Sequence, residues 1–528
     1  MTERWGMVID LNRCVGCQTC TAACKHHNDT APGVQWRRVL DIERGTFPDV
    51  QRVFLVVGCQ HCAEPPCVPV CPTGATKQRA DGLVTMDYDT CLGCGYCAVA
   101  CPYQARTIAH EKEWYYGQET VQEKHVAHDD RVGVAQKCNF CEDKLDDAKA
   151  RGLTPGVDLE VTPACSASCI AQAIHFGDFN DSESNVSQLI RNNANFQMHE
   201  ELGTDPQIRY VYEAAGIAGR DDEDPEGEAE GPLSGERQTL WDYRAAMNFT
   251  LGGFGSGFAV IAYLMHLLGA LPETTLTYFY AAAAAIMGVG LFFVFLEIAR
   301  KLRFALVILR PQSSWMTREV YAVAVFFPAV LADLIWPQGA LHLVVALSAA
   351  GFLYSQGRIL QAGTGIPAWR VPAMPQMLVA TGLFEGVALA ALAMALFPGD
   401  APFTAWVPAA GLVLAVLNAA LWWRYRGAAR ARGIGPQARR ELARIGPALH
   451  LVGHALPIGL FLVAFIADGA APWLGLGLGI GGAAALVGGA LWKFTVITRA
   501  SYSQGFALPR MPQRGSGARA APVRFEAP

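Results

Sequence analysis

Cys91-Leu-Gly-Cys94-Gly-Tyr-Cys97-Ala-Val-Ala-Cys101-Pro102 is the stretch from which the architecture of this chain follows. On a loop turning into a helix, thiolates at these steps wrap one corner of a small inorganic body while the last one points away. Three further quartets close on the same C-x3-C step: Cys14, Cys17, Cys20 and Cys24; Cys59, Cys62, Cys67 and Cys71; and Cys138, Cys141, Cys165 and Cys169. All 16 cysteines lie between Cys14 and Cys169. Structural zinc and disulfide frameworks also use C-x2-C pairs, but neither uses four quartets with these steps. Iron–sulfur cubes do.

The run C-x2-C-x2-C-x3-C-P is that of bacterial two-cluster ferredoxins, where the fourth Cys ligates the other cluster. The second quartet keeps the pattern with a longer middle step and Pro72. Crossed ligation is therefore expected, with Cys59, Cys62 and Cys67 joined by Cys101, and Cys91, Cys94 and Cys97 joined by Cys71. By the same rule Cys14, Cys17 and Cys20 take Cys169, and Cys138, Cys141 and Cys165 take Cys24. Every position that could lower the cluster nuclearity is Cys, so four 4Fe–4S clusters are expected. Gly6 to Asp10 and Gly82 to Met86 read as short strands feeding cluster loops. Lys25, His26 and His27 read as a solvated face, because each quartet is already complete. The insertions Trp36 to Phe54 and His110 to Gln136 read as cover for the clusters or contact with a partner.

At 528 residues the chain is too long for one compact domain, and composition divides it. Residues 1–215 are polar and hold the cysteines, a four-cluster ferredoxin-like domain. Residues 216–240 include the run Arg220-Asp-Asp-Glu-Asp-Pro-Glu-Gly-Glu-Ala-Glu230 and read as an acidic flexible linker. Residues 241–500 raise the whole chain to 52% hydrophobic and read as a membrane anchor with a quinone site. Residues 501–528 read as a basic cytoplasmic tail. The fold expected is an α+β polyferredoxin of two paired two-cluster modules, followed by an all-α polytopic membrane domain of eight transmembrane helices.

Eight apolar stretches approach the roughly 17 to 25 residues that cross a bilayer. They run from Met247 to Leu271, Leu276 to Ala299, Val320 to Trp336, Ala340 to Ser355, Met377 to Phe397, Phe403 to Trp423, Ile445 to Ala467 and Trp473 to Val496. Arginines and lysines collect in the loops after the second, fourth and sixth stretches and in the tail, among them Arg300, Lys301, Arg370, Arg430, Arg440 and Arg510. The alternate loops carry Glu273, Asp400 and Asp468 instead. The basic side faces the cytoplasm by the positive-inside rule. The start, Met1-Thr-Glu-Arg-Trp-Gly-Met-Val-Ile-Asp10, lacks an apolar signal core and a twin-arginine pair. A multi-pass protein of the bacterial inner membrane is expected, with its cluster domain and both termini cytoplasmic.

Four quartets in this order ahead of eight spans resemble the iron–sulfur and membrane-anchor subunits of the dimethyl sulfoxide reductase family of molybdopterin oxidoreductases, fused into one chain. The resemblance rests on the quartets, on Gly58-Cys-Gln-His-Cys-Ala-Glu-Pro-Pro-Cys67 and Cys101-Pro-Tyr-Gln-Ala105, and in the anchor on Ser314-Trp-Met-Thr-Arg-Glu319 and Thr498-Arg-Ala-Ser-Tyr-Ser-Gln-Gly-Phe-Ala507. The front part is most similar to the iron–sulfur subunit of membrane-bound, cytoplasm-facing sulfite dehydrogenases. The resemblance implies a separate catalytic subunit carrying the molybdopterin cofactor, for which this chain has no domain. Anchors of externally facing reductases commonly carry His-Leu-Gly near the end of the second span. Here that place reads Phe295-Leu-Glu-Ile-Ala-Arg300, so the family's quinol-site histidine is not carried over.

The function expected is that of a non-catalytic electron-transfer and anchor subunit, with sulfite oxidised at the partner and membrane quinone reduced in the anchor. The alternative runs the same wire from quinol to dimethyl sulfoxide, another S- or N-oxide, or polysulfide. A third reading, a scaffold whose clusters only hold structure, sits poorly with four complete quartets. Expected partners are the molybdopterin subunit, the quinone pool and lipid, with no nucleic acid. Ionisable side chains inside spans are costly and usually functional. Glu297 ends the second span on the basic side, and His450 and His454, one turn apart, begin the seventh there, so these three are the candidate quinone-site residues; hydrogen bonding between helices is the competing role. Asp333, His342 and His266 fall near the opposite face.

Overall fold

The structure, a computed structural model, describes residues 3–46, 49–212, 231–396, 406–431, 433–467 and 474–508. The cysteine-bearing part contains, in order, β1 (Trp5–Asp10), α1 (Thr19–His27), β2 (Arg37–Thr46), β3 (Asp49–Gly58), β4 (Thr76–Gln78), β5 (Val84–Met86), α2 (Tyr96–Val99), β6 (Thr107–Ile108), α3 (Val121–Val126), β7 (Ala135–Gln136), α4 (Glu142–Arg151), α5 (Ala164–Ala167), β8 (Ile174–Asp178), α6 (Asn185–Asn192), β9 (Asn195–Phe196) and β10 (Ile208–Val211).

β1 alternates as a two-faced buried strand must. Met7 and Ile9 point into the core that holds the cysteines, while Val8 packs on Val186 and Leu189 of α6. β1 pairs antiparallel with β8, Met7 opposite Phe176, and parallel with β10. Because β1 leads into the first quartet and β8 leaves the fourth, this sheet ties the two ends of the domain together. β4 with β5 and β6 with β7 form separate two-stranded ribbons around the second and third quartets. The expected strand from Gly82 is shorter, because Gly82 takes a left-handed turn and pairing begins at Val84. The long insertion after the first quartet is the β2–β3 hairpin, Arg37 opposite Gly58.

The helical part comprises α7 (Tyr243–Leu267), α8 (Glu273–Glu297), α9 (Trp315–Ile335), α10 (Gly339–Ala362), α11 (Met374–Leu396), α12 (Trp406–Ala431), α13 (Pro436–Ala448), α14 (Leu456–Ile466) and α15 (Leu474–Phe494). A π-helical stretch, Leu449–Ala455, joins α13 to α14, and another, Thr495–Arg499, extends α15. Among the described residues, 7 of these helical units are long and apolar enough to cross a membrane. α9 occupies the third expected span but carries Arg318, Glu319 and Asp333 along its 21 residues. Several helices outrun their apolar stretches. α10 reaches Ala362, beyond Ser355, because Gln356 and Arg358 continue the helix as it meets the cluster domain.

α7 packs against α8, α10 and α11, and α11 against α12 and α15, so α7 and α11 are the seam between two groups of helices. They meet backbone to backbone. A methyl group added at Gly257 would lie 1.8 Å from the Gly382 carbonyl oxygen, and one at Gly386 2.3 Å from that of Gly257. Small residues at such a crossing permit the close packing that holds helices together in lipid. Large apolar side chains such as Phe292, Leu331, Val413 and Ile466 point outward, as a lipid-facing surface requires.

Two boundaries differ from expectation. Residues 216–230 of the expected linker lie outside the described residues, and in its last part Arg237 pairs with Tyr502. The first part of the expected tail, 501–508, is not free either. Phe506 is buried in the core of the cluster domain, and His199 Nε2 donates to the Gly505 carbonyl over 3.0 Å. An aromatic ring with an apolar niche to fill overrides the polar composition around it. Residues 509–528 lie outside the described residues.

Candidate iron–sulfur sites and their contact with the membrane helices

Cys71, Cys91, Cys94 and Cys97 line one cavity, and Cys59, Cys62, Cys67 and Cys101 line a second. Thus the fourth cysteine of each of these groups sits with the first three of the other. In the remaining groups Cys24 faces Cys138, Cys141 and Cys165, while Cys14 and Cys20 face Cys169. Left-handed residues shape these loops. Gly93 has φ +75°, and a methyl group there would lie 2.1 Å from the Gly133 carbonyl oxygen. Backbone amides turn toward sulfur as a result: Ala173 N–H donates to Cys169 Sγ over 3.2 Å and Phe140 N–H to Cys138 Sγ over 3.4 Å.

Charge tests whether iron–sulfur clusters fit here. Burial pushes most of the thiols up, as with Cys97, Cys138 and Cys165, so without a counter-ion these sites would be neutral. Yet two arginines are buried beside them. Arg37 lies next to Cys24, Cys138 and Cys165, and its Nε and Nη1 have no hydrogen-bond partner. Arg106 donates to Cys67 Sγ over 3.1 Å and to Thr76 Oγ1 over 3.1 Å. No ion pair to a carboxylate involves either arginine among the described residues. A buried guanidinium without an anion would cost several kcal/mol. A four-thiolate cluster is anionic, so the residues present fit it. Replacing Arg37 with Met should lower the midpoint potential of the cluster beside Cys24 by on the order of 100 mV through loss of one nearby positive charge, with iron retained. A redox titration followed by electron paramagnetic resonance checks this; an unmoved potential would show that Arg37 is neutralised some other way.

His61 fastens the two modules together. Its Nε2–H donates to the Cys138 carbonyl over 3.0 Å, and its Nδ1 accepts from Val84 N–H over 3.1 Å. Burial and the neighbouring Lys137 hold its pKa well below the usual value, so the ring is neutral, and these two hydrogen bonds set its tautomer. His26 is exposed and half-buried His27 pairs with Asp143, but Lys25 departs from the expected solvated face: its Nζ turns inward to donate to the Thr30, Ala31 and Val34 carbonyls.

The two ends of the row of quartets differ. Cys17 is exposed and is flanked by the exposed apolar side chains of Val15 and Ile170. The third quartet lies against the membrane helices: Trp241 Nε1 donates to the Cys94 carbonyl over 2.8 Å, Arg303 Nη1 to that of Cys91 over 2.9 Å, and Ser314 Oγ to that of Val70 over 2.9 Å. Tyr96, inside this quartet's loop, donates to the Ile359 carbonyl over 3.0 Å and lies near Glu319.

Below it stands a polar group that sequence reasoning does not single out. Glu319, Gln356 and Asn248 are all buried, Gln356 donates to the Asn248 carbonyl over 3.2 Å, and each keeps a side-chain oxygen without a partner. Glu319 closes the Ser314–Glu319 motif but stands one residue outside its apolar stretch. The amides carry no charge to mark them. Of the three quinone-site candidates, Glu297 is buried on α8 with one oxygen unpartnered and lies near Arg244, two residues from the Ala299 methyl that touches the Gly93 loop. His450 stacks on Trp423 and His454 bonds Asn418, on the other helix group. Since α8 packs on α7 and α9 while the Leu449–Ala455 stretch packs on α12, α14 and α15, the structure does not bring Glu297 to the histidines. At the far face Asp333 and His342 lie 3.0 Å apart, with His266 edge-on to His342.

The arrangement is that of a multi-cluster electron-transfer domain seated on a membrane-spanning helical domain. Two family models agree for the front part: a 4Fe-4S dicluster domain matches residues 50–116 and a 4Fe-4S binding domain residues 5–26. The chain is 42% identical over 224 residues to the B subunit of selenate reductase of Mesobacillus selenatarsenatis, covering 39% of this chain and 72% of that one. It is 39% identical over 221 residues to the B subunit of sulfite dehydrogenase of Allochromatium vinosum, covering 39% and 81%. It is 36% identical over 226 residues to the iron-sulfur cluster-binding subunit of menaquinone reductase of Nitratidesulfovibrio vulgaris, covering 39% and 88%. The chain belongs to the iron–sulfur subunits of the molybdopterin oxidoreductase family, joined here to a helical membrane domain.

Proposed function

We propose that this chain carries electrons between a separate molybdopterin catalytic subunit and membrane quinone through four 4Fe–4S clusters, with sulfite oxidation at the partner. The observation that carries the reading is the row of quartets, which begins at exposed Cys17 and ends at Cys94 against the membrane helices. Bound clusters would supply one-electron exchange. The chain's own residues hold them at fixed depth, offset their charge with Arg37 and Arg106, and provide Glu319, Gln356 and Asn248 as hydrogen-bonding partners for a quinone ring beside the last quartet. Glu297, near the same quartet's loop, is a second candidate for that contact. His450 and His454 lie on the other helix group, where their stretch packs on α12, α14 and α15.

The sulfite dehydrogenase and menaquinone reductase relatives support oxidation at the partner and reduction in the membrane. The selenate reductase relative supports the reverse flow, from quinol to an oxyanion or an S- or N-oxide. Sulfite-dependent quinone reduction by the purified complex tests the first; quinol-dependent reduction of selenate or dimethyl sulfoxide with no sulfite activity would select the second.

The proposed orientation, clusters in the cytoplasm, has its own test. A reporter active only outside the cytoplasm should be silent when fused at Arg430 and active at Asp400, a position outside the described residues. The opposite pattern would put the cluster domain on the outer face.

A further inference from the structure

Glu385 on α11 and Lys493 on α15 form an ion pair, 2.5 Å from Oε2 to Nζ, with both side chains excluded from solvent inside the helical domain. Nothing in the electron path uses it. A buried pair costs desolvation that its attraction offsets only partly, and ionisable groups within a bilayer mark proton and ion pathways. Glu385 Oε1 also remains without a partner.

The pair is one member of a longer series. One turn before Glu385 on the same helix, Thr381 Oγ1 accepts from Asn418 Nδ2 over 2.7 Å. Asn418 Oδ1 accepts from His454 Nε2–H over 3.0 Å, which leaves His454 Nδ1 buried and unpartnered. His450 lies 6.0 Å from His454, ring to ring, and is half-buried against Trp423, whose ring Arg426 covers. That end is at the cluster side of the bundle, where α12 and α13 turn over.

Glycines keep the junctions of this series open. A methyl group at Gly489 would meet Glu385 Oε1 at 2.1 Å, and one at Gly488 would meet Gly453, the neighbour of His454, at 2.4 Å. At the other end, a methyl group at Gly253 would meet Lys493 Nζ at 2.2 Å, and one at Gly252 would meet Gln356 Nε2 at 2.6 Å. Gly252 and Gly253 are consecutive on α7, so Gln356 and Lys493 pack on neighbouring faces of the same turn of that helix. The π-helical winding of Leu449–Ala455, which carries both histidines, is a form concentrated at functional sites.

We propose that His450, His454 and Glu385 form a proton route between the aqueous phase on the cluster side and the quinone site, with Asn418 and Thr381 fixing its geometry and Lys493 as the last proton-carrying group before Gln356, whose amide orients hydrogen bonds and exchanges no proton. The proposal rests on the quinone reading above. Reduction of one quinone takes two electrons from the clusters and two protons, which enter at His450; quinol oxidation returns both along the same paths. Water bridges the gaps, served by the two unpartnered atoms, Glu385 Oε1 and His454 Nδ1.

The test uses the whole complex with Glu385→Gln, His454→Gln and Asn418→Leu. Glu385→Gln and His454→Gln should slow quinone turnover at least about tenfold. Cluster signals and electron exchange between partner and clusters should stay as in the wild type, the solvent deuterium effect should grow, and a small weak acid such as formic acid should restore part of the rate. Asn418→Leu should slow turnover less and respond to the same acid. If Glu385→Gln fails to assemble, His454→Gln carries the test. Unchanged turnover in the variants that assemble, or slowing that no weak acid relieves, would overturn the route. Wild-type clusters that exchange no electrons with quinone would overturn the functional reading instead.

Discussion

Cys71→Ser is expected to abolish the cluster held by Cys91, Cys94 and Cys97 and to leave the cluster of its own group in place. Iron should fall from about sixteen to about twelve atoms per chain, with acid-labile sulfide in parallel. Because Cys71 lines the cavity of the third group, the lost signal should be that of the cluster nearest the membrane. Quinone-linked turnover should then drop to background while the partner still reduces the remaining clusters. The reciprocal variant, Cys101→Ser, should remove the cluster of Cys59, Cys62 and Cys67. Loss of the second group's cluster in Cys71→Ser would mean that each quartet ligates its own iron, and zinc in place of iron would end the cluster assignment altogether.

What the residues alone reveal divides along physical lines. Ligand spacing is local covalent geometry, so the quartets and their expected crossed partners are legible from the spacing of the cysteines. Apolar length is likewise local, which is why helices stand where the apolar stretches do, although among the described residues 7 rather than eight are long and apolar enough to cross a membrane. The start of α9 is hidden because Arg318 and Glu319 end the apolar run while the helix continues to Trp315. Residues 501–508 are hidden for the opposite reason: their composition is polar, but Phe506 and the Gly505 carbonyl find partners in a domain far earlier in the chain, as the His199 contact at a separation of 306 residues shows. Tertiary partnership of this kind leaves no period in the sequence. The quinone-site candidates do not hold together as a set for a related reason. Charge and depth along the chain single out Glu297, His450 and His454, and depth does not say which helix group faces which.

Replacing Glu319 by Gln should lower quinone-linked turnover by roughly 100-fold, the ordinary loss when a positioned acid or base is removed from a proton-coupled step. Gln keeps the size and one hydrogen bond, so the packing of α9 on α10 and the contact near Tyr96 survive, and the clusters should fill and be reduced as before. Asn248→Leu should weaken quinone binding more than it slows the bound reaction, because an amide orients a carbonyl without exchanging a proton at neutral pH. Glu297→Gln provides the comparison. Its carboxyl faces Arg244 at the flank of α7 and α8 rather than the space beneath Cys94, and only a few-fold effect is expected from it. Steady-state turnover with a soluble quinone analogue, alongside single-turnover oxidation of pre-reduced clusters, separates these cases. If Glu297→Gln proves the more damaging and Glu319→Gln is indifferent, the quinone ring sits on the α8 side of the third quartet, and the polar group of Glu319, Gln356 and Asn248 serves only to hold the helices to the cluster domain.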